Sequence, residues 1–229
     1  MIQYIEQLLW EIDLPMHVER DSFHLDLGSG SHPRNPFSAT RLIACDVLPA
    51  EQVEMSCEYL QCDITVQLPF GSDTFSSISA FDVLEHIPRW ERRDGEVQFP
   101  FVNLMSEIFR VLKPGGYFYA VTPMYPSSSA FTDPTHVNVM TLQTVSYFGG
   151  ANHAKQLGYG FEGGFEIIFA NWLRGAGPFA LSGSLFGQVK NNPWSRKSLR
   201  AELQLLNRWL RRLFNRKPTH VLWVLRKPV

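Results

Sequence analysis

The sequence predicts an α/β fold with a doubly wound, mostly parallel sheet. Apolar runs of strand length alternate with stretches of helical period between residues 22 and 122. The first run, Phe23-His24-Leu25-Asp26-Leu27, passes straight into Gly28-Ser29-Gly30, a turn without side-chain bulk that lets the backbone approach a ligand. Successive runs end in aspartates, Asp26, Asp46 and Asp63. In an open α/β sheet these acids line the carboxyl edge, where ligands bind.

The chain of 229 residues is sized for one domain with a substantial core. With 45% hydrophobic and 19% charged residues it has the balance of a globular protein. No apolar run reaches the roughly 18 residues that cross a bilayer. Glu6, Glu11 and Asp13 replace the basic-then-apolar pattern of a secretory leader, so a cytoplasmic location is expected. Cys45, Cys57 and Cys62 are odd in number, lie in or beside predicted strands and have no histidine at metal spacing, so they read as reduced core thiols.

In chain order, Ile5, Leu8, Leu9 and Ile12 recur at helical spacing until Pro15, predicting a helix over residues 1–14. Strands follow at 22–27 and 41–46, joined by a loop holding Pro33, Asn35, Pro36 and Ser38. A third strand covers 57–63. After the turn at Gly71-Ser72-Asp73, a fourth runs through Phe75 to Phe81, and Asp82 to Ile87 start a helix. Phe101, Leu104, Met105, Ile108 and Leu112 share one face of a helix over 97–112, stopped by Pro114-Gly115-Gly116. A fifth strand covers 117–122. Residues 123–138 are a loop, 141–149 a short helix and 159–171 a strand. Leu199, Leu203, Leu206, Leu210 and Leu213 form the apolar stripe of a basic helix that begins at Asn192-Pro193, and His220 to Leu225 form the last strand.

Asp46 lies about 20 residues past Asp26, as expected of an acid holding ribose hydroxyls, and Asp63 is placed to accept from an adenine amino group. A dinucleotide turn wants a third glycine where Pro33 stands, which disfavours an oxidoreductase.

Asp26-Leu27-Gly28-Ser29-Gly30 resembles the first motif of class I S-adenosylmethionine-dependent methyltransferases. Leu68-Pro69-Phe70 with Asp73 and Phe75, Phe81-Asp82-Val83-Leu84-Glu85-His86-Ile87, and Arg110-Val111-Leu112-Lys113-Pro114-Gly115-Gly116 resemble their later motifs, in order. The resemblance covers about residues 20–125. Pro33 to Phe37, Phe99-Pro100-Phe101 and Phe131 to Asn138 are similar to bacterial type 11-like members associated with surface-polysaccharide or lipid-linked glycan pathways. The resemblance implies a Rossmann-like sheet whose last strands form an antiparallel edge hairpin, with S-adenosylmethionine as cofactor. It places Asp26, Gly28, Ser29 and Gly30 at the methionine and ribose end, Asp46 at the ribose, Asp63 and the backbone of Ile64 at adenine, and Phe81 beside the methionine part through its backbone. His32 stands where the motif has its third alternate glycine; it either touches the ligand or marks a wider turn.

Methyl transfer is an in-line displacement in which the enzyme supplies proximity, and an alcohol acceptor gains from a general base. His136 is the candidate base, Asp133 its orienting partner, and His86 the second candidate. Glu85 either binds substrate or caps a helix start. Asp82, Glu85, His86, Asp133 and His136 could gather a metal, but their spacing matches no strong ligand pattern, so none is expected. The expected reaction is methylation of an acceptor oxygen on a sugar, glycan intermediate or other small molecule; the rival is a non-catalytic S-adenosylmethionine-binding scaffold.

Residues 173–229 hold twelve of the 21 Lys and Arg but one of the 22 Asp and Glu. This suggests contact between residues 190–217 and an anionic membrane surface, or packing on the domain or on a second subunit in a homodimer. Nucleic acid is disfavoured, because the fourth strand lacks the Asp/Asn-Pro-Pro-aromatic motif of nucleobase methyltransferases. The expected organisation is a single domain over 1–229: an N-terminal helix in 1–20, the core in 21–172, a basic insertion in 173–217 and a last strand in 218–229.

Overall fold

The computed structural model describes residues 22–53, 57–149, 160–173 and 219–229. The predicted N-terminal helix and nearly all of the basic insertion lie outside the described residues. The elements are β1 (Phe23–Leu27), β2 (Arg41–Asp46), β3 (Glu58–Gln61), β4 (Phe75–Phe81), β5 (Glu91–Arg93), β6 (Glu96–Gln98), α1 (Pro100–Val111), β7 (Leu112–Pro123), α2 (Ser129–Thr132), β8 (Glu166–Leu173) and β9 (His220–Arg226). The main sheet has seven strands in the order β3-β2-β1-β4-β7-β9-β8. The first five are parallel, and β9 runs antiparallel between β7 and β8. The predicted mostly parallel sheet with an antiparallel edge hairpin is therefore present.

Alternation along the strands sorts the two faces. Leu25, Leu27, Ile78, Ala80, Phe118, Ala120, Val221 and Trp223 pack with Phe101, Leu104, Met105 and Ile108 of α1 in the larger core cluster. The opposite face carries Phe81, Tyr119, Val121, Leu222 and Val224, covered by Phe37 from the loop between β1 and β2. Arg110 and Glu107 of α1 pin Leu68-Pro69-Phe70. Arg110 donates to the carbonyls of Phe70 at 2.8 Å and Leu68 at 3.1 Å, and Leu68 N–H donates to Glu107 at 2.9 Å.

Several boundaries differ from expectation. The helix expected from Asp82 to Ile87 is only a 3-10 turn, Leu84–His86. Pro88 restricts Ile87 to extended backbone and ends it. Asp94 and Gly95, both at positive φ, turn an unforeseen hairpin of β5 and β6. The short helix in 141–149 is a 3-10 helix, Leu142–Tyr147, closed by a capping box between Thr141 and Thr144. α2 interrupts the expected loop, the strand expected from 159 begins at Glu166, and β7 starts at Leu112 directly after α1.

Candidate active site

The turn after β1 is tied to β2. The N–H groups of Gly28 and Ser29 donate to the Cys45 carbonyl at 2.8 and 3.2 Å. Gly30 N–H donates to Asp46 Oδ2 at 2.8 Å, and Leu48 N–H to Oδ1 at 3.1 Å. The Asp46 carboxylate is thereby held beside the turn. Ser29 is buried, with its hydroxyl on the Gly30 carbonyl at 3.2 Å. A Cβ on Gly30 would meet nothing within 4 Å. The space beside this turn is open.

Asp26 lies beneath the turn. Its Oδ1 accepts from Ser79 Oγ at 2.6 Å and its Oδ2 from Arg34 N–H at 2.8 Å. His24 extends the string, with Nε2 at 2.8 Å from Ser79 Oγ and Nδ1 at 2.8 Å from Ser77 Oγ. A neutral imidazole meets both partners, donating through Nε2 and accepting at Nδ1. Burial pushes the His24 pKa down to about 3 and lifts that of Asp26 to about 7. The two shifts act oppositely on stability. His24 stays neutral in the fold while the unfolded chain takes a proton, so its contribution is lost as pH falls from about 6.5 toward 3. Asp26 keeps its proton in the fold, so its contribution is lost as pH rises from 3.8 through about 7. Between about pH 4 and 6.5 the two slopes cancel. In His24→Gln the Asp26 term stands alone: stability should fall by about 1.4 kcal/mol per pH unit across that window relative to wild type. Urea unfolding at a series of pH values checks this, and parallel curves for the two proteins would refute it.

The region after β3 is more open. Asp63 is exposed, and its Oδ1 accepts from Thr65 N–H at 2.8 Å and Thr65 Oγ1 at 2.7 Å. Cys62 N–H donates to the Asp46 carbonyl at 2.9 Å, which brings Asp63 and Ile64 alongside Asp46. The Ile64 side chain is in the core, so only its backbone can face a ligand. The Phe81 ring is buried on the opposite face beneath the Arg34 guanidinium, 4.7 Å from its centroid. His32 is exposed, with Nδ1 at 2.6 Å from Ser31 Oγ.

The candidate catalytic residues converge after β4 and β7. The Val137 and Asn138 N–H groups both donate to the Glu85 carbonyl at 2.9 Å, clamping the loop after α2 onto the Leu84–His86 turn. The His86 and His136 rings meet edge to face, with centroids 4.9 Å apart. His136 Nε2 lies 3.9 Å from Glu85 Oε1 and 4.0 Å from Asp133 Oδ2. Asp133 is at the solvent edge; its Oδ1 holds Thr135 N–H at 2.8 Å and Thr135 Oγ1 at 2.7 Å, which pulls its pKa below the usual range. Glu85 is the group that sequence reasoning undervalued. It caps no helix. It is 2% exposed, Oε2 accepts from Thr122 Oγ1 at 2.8 Å, and Oε1 has no hydrogen-bond partner. Burial, with the charge of Asp82, lifts its pKa to about 8. His220 was missed altogether: fully buried at the start of β9, it places Nε2 3.4 Å from Asp82 Oδ1. Its position depends on the β7–β9 register, for which the sequence carries no local signal.

A cleft of about 520 Å³ opens nearby between α1 and the 3-10 helix, with Trp90, Phe99, Phe101, Tyr147 and Phe148 among its walls. Arg89 at its rim donates to Asn138 Oδ1 at 2.6 Å, connecting it to the loop that carries His136.

Residues 25–120 match the family described as methyltransferase domain. No curated protein matches the chain in sequence. Among solved structures, a SAM-dependent methyltransferase from Archaeoglobus fulgidus superposes with a TM-score of 0.57 at 14% identity, covering 99% of this chain and 95% of that one. The YcgJ protein from Bacillus subtilis gives 0.55 at 15% identity, covering 98% of each chain. Phosphoethanolamine N-methyltransferase 2 from Haemonchus contortus, in complex with S-adenosyl-L-methionine, gives 0.54 at 17% identity, covering 99% of this chain and 53% of that one. Residues 25–120 are thus similar to a methyltransferase domain, and the chain shares the fold of these solved methyltransferase structures.

Proposed function

We propose that the protein transfers a methyl group from S-adenosylmethionine to a hydroxyl oxygen of a small acceptor, a sugar or glycan intermediate. The observation that supports an oxygen acceptor is the buried Glu85 carboxyl facing His136 Nε2 at 3.9 Å. A hydroxyl must lose a proton to become a good nucleophile, and this pair can hold one. The cofactor supplies a methyl group on a sulfonium; the acceptor oxygen bonds to that carbon and displaces the thioether, S-adenosylhomocysteine. Gly28, Ser29 and Gly30 carry the backbone past the methionine and ribose end. Asp46 accepts from the ribose hydroxyls, while Asp63 and the Ile64 backbone meet adenine.

His136 Nδ1 lies 3.3 Å from the Ala130 carbonyl, which can only accept, so the ring proton is on Nδ1 and the lone pair on Nε2. Nε2 takes the acceptor's proton as its oxygen bonds to the methyl carbon and the carbon–sulfur bond breaks. The Glu85 carboxyl, 3.9 Å from Nε2, lies beside the new imidazolium and stabilises it through its free oxygen. Incubation with isotope-labelled S-adenosylmethionine and a panel of sugars, nucleotide sugars and amines tests the reading. The expected product is a methyl ether released with S-adenosylhomocysteine; an N-methyl product alone would sink the oxygen assignment.

A further inference from the structure

Glu85, His86 and His136 each offer a ligand atom, and the three atoms lie within 4.8 Å of one another. Each side chain is held in place by a neighbour. His136 is tethered through Nδ1 to the Ala130 carbonyl at 3.3 Å. His86 is tethered through Nδ1 to the Thr135 hydroxyl at 3.0 Å and the Thr135 carbonyl at 3.3 Å. Fixing the far ring nitrogen on a backbone carbonyl sets the tautomer of a ligating imidazole. Glu85 Oε2 is anchored on Thr122, while Oε1, buried and without a hydrogen-bond partner, faces His136 Nε2 at 3.9 Å. That is too long for a hydrogen bond. Two ligands sharing an ion at bonds of about 2.0–2.2 Å stand roughly 3–3.5 Å apart, so Glu85 and His136 must close by roughly half an ångström, and the widest separation in the trio by up to about 1.5 Å, to share one ion. No other group of three such side chains among the described residues comes together in this way.

We propose that Glu85, His86 and His136 bind a divalent transition-metal ion and leave a coordination position open to the acceptor's oxygen. Two imidazoles and one carboxylate suit zinc, cobalt or iron better than magnesium or calcium, whose preferred ligands are all oxygen. Three protein ligands are the number found in catalytic rather than structural zinc sites. A hydroxyl on the open position gives its proton to water more readily. The ion then replaces the His136 lone pair as the group that activates the acceptor. The role of the open position rests on the acceptor reading above; ion binding does not.

The test is titration of the whole, tag-free, metal-stripped protein with cobalt(II), followed by visible absorption, and with zinc(II), followed by calorimetry. One ion per chain is expected, with affinity lowered by at least about tenfold in Glu85→Gln and in His86→Ala while S-adenosylmethionine affinity is kept. His86 is partly exposed, so its truncation decides the matter should Glu85→Gln fail to fold. Absence of a saturable cobalt band, or wild-type affinity in the variants, overturns the inference. Cobalt binding without methylation of any hydroxyl acceptor overturns the acceptor reading alone. Equal methyl-ether formation by stripped and zinc-loaded protein, with no cobalt band, overturns the metal alone.

Discussion

Gly28→Ala should lose more than about tenfold in S-adenosylmethionine affinity and about 2–4 kcal/mol in stability. Gly28 has φ +62°, where an L residue is strained. The added Cβ would also sit 2.3 Å from Val83 Cγ2 and 2.7 Å from Val83 Cβ. Val83 is β-branched and stiff, so its side chain cannot swing clear, and the backbone must move. Val83 joins the end of β4 to the Leu84–His86 turn, so the displacement reaches Glu85 as well as the cofactor turn. Gly30→Ala is the control. It has a similar φ of +59°, but its Cβ meets nothing within 4 Å, so it carries only the backbone strain, about 1–2 kcal/mol. Denaturant unfolding and calorimetry with S-adenosylmethionine measure both effects. Equal destabilisation in the two variants would mean that the Val83 contact contributes nothing.

The parts of the fold readable from sequence are those set by local chemistry. The face of α1 follows from the spacing of Phe101, Leu104, Met105 and Ile108, all buried. The run into Gly28 announces the first turn, because positive φ and a close neighbour both demand glycine there. Asp94-Gly95 is an equally local signal for the β5–β6 turn, and Pro88 after Ile87 argues against a helix at Asp82. What lay beyond reach depends on tertiary contact. Nothing adjacent to Glu85 shows that Thr122, 37 residues away, holds one carboxylate oxygen and leaves the other without a partner. The placement of Asp26 is instructive in the same way. Its spacing from the glycines was legible, but its partners Ser79 and Arg34 come from β4 and a loop, and they turn the carboxyl beneath the turn. The string through His24 to Ser77 depends on the β1–β4 register, in which His24 faces Ser77 and Asp26 faces Ser79.

His136→Ala should lower turnover about a hundredfold to ten-thousandfold while leaving S-adenosylmethionine affinity within a few-fold of wild type. The side chain stands on the loop after α2, against Ala130, Glu85, His86 and Asp133. Removing it strips the proton-holding pair and leaves the cofactor cradle intact. Asp133→Ala should be much milder, because that carboxylate is exposed, already engaged by Thr135 and 4.0 Å from His136. The contrast separates chemistry from loop structure. If His136 served only to hold the loop, Asp133→Ala, which frees Thr135 at the same bend, would cost a comparable part of the rate. Imidazole added to His136→Ala sharpens the test: a diffusible base can occupy the vacated space beside Glu85 and recover part of the turnover, whereas a purely structural ring cannot be replaced in that way. Wild-type turnover in His136→Ala would place acceptor activation elsewhere. Asp82 and His220, 3.4 Å apart at the ends of β4 and β9, would then be the next pair to replace.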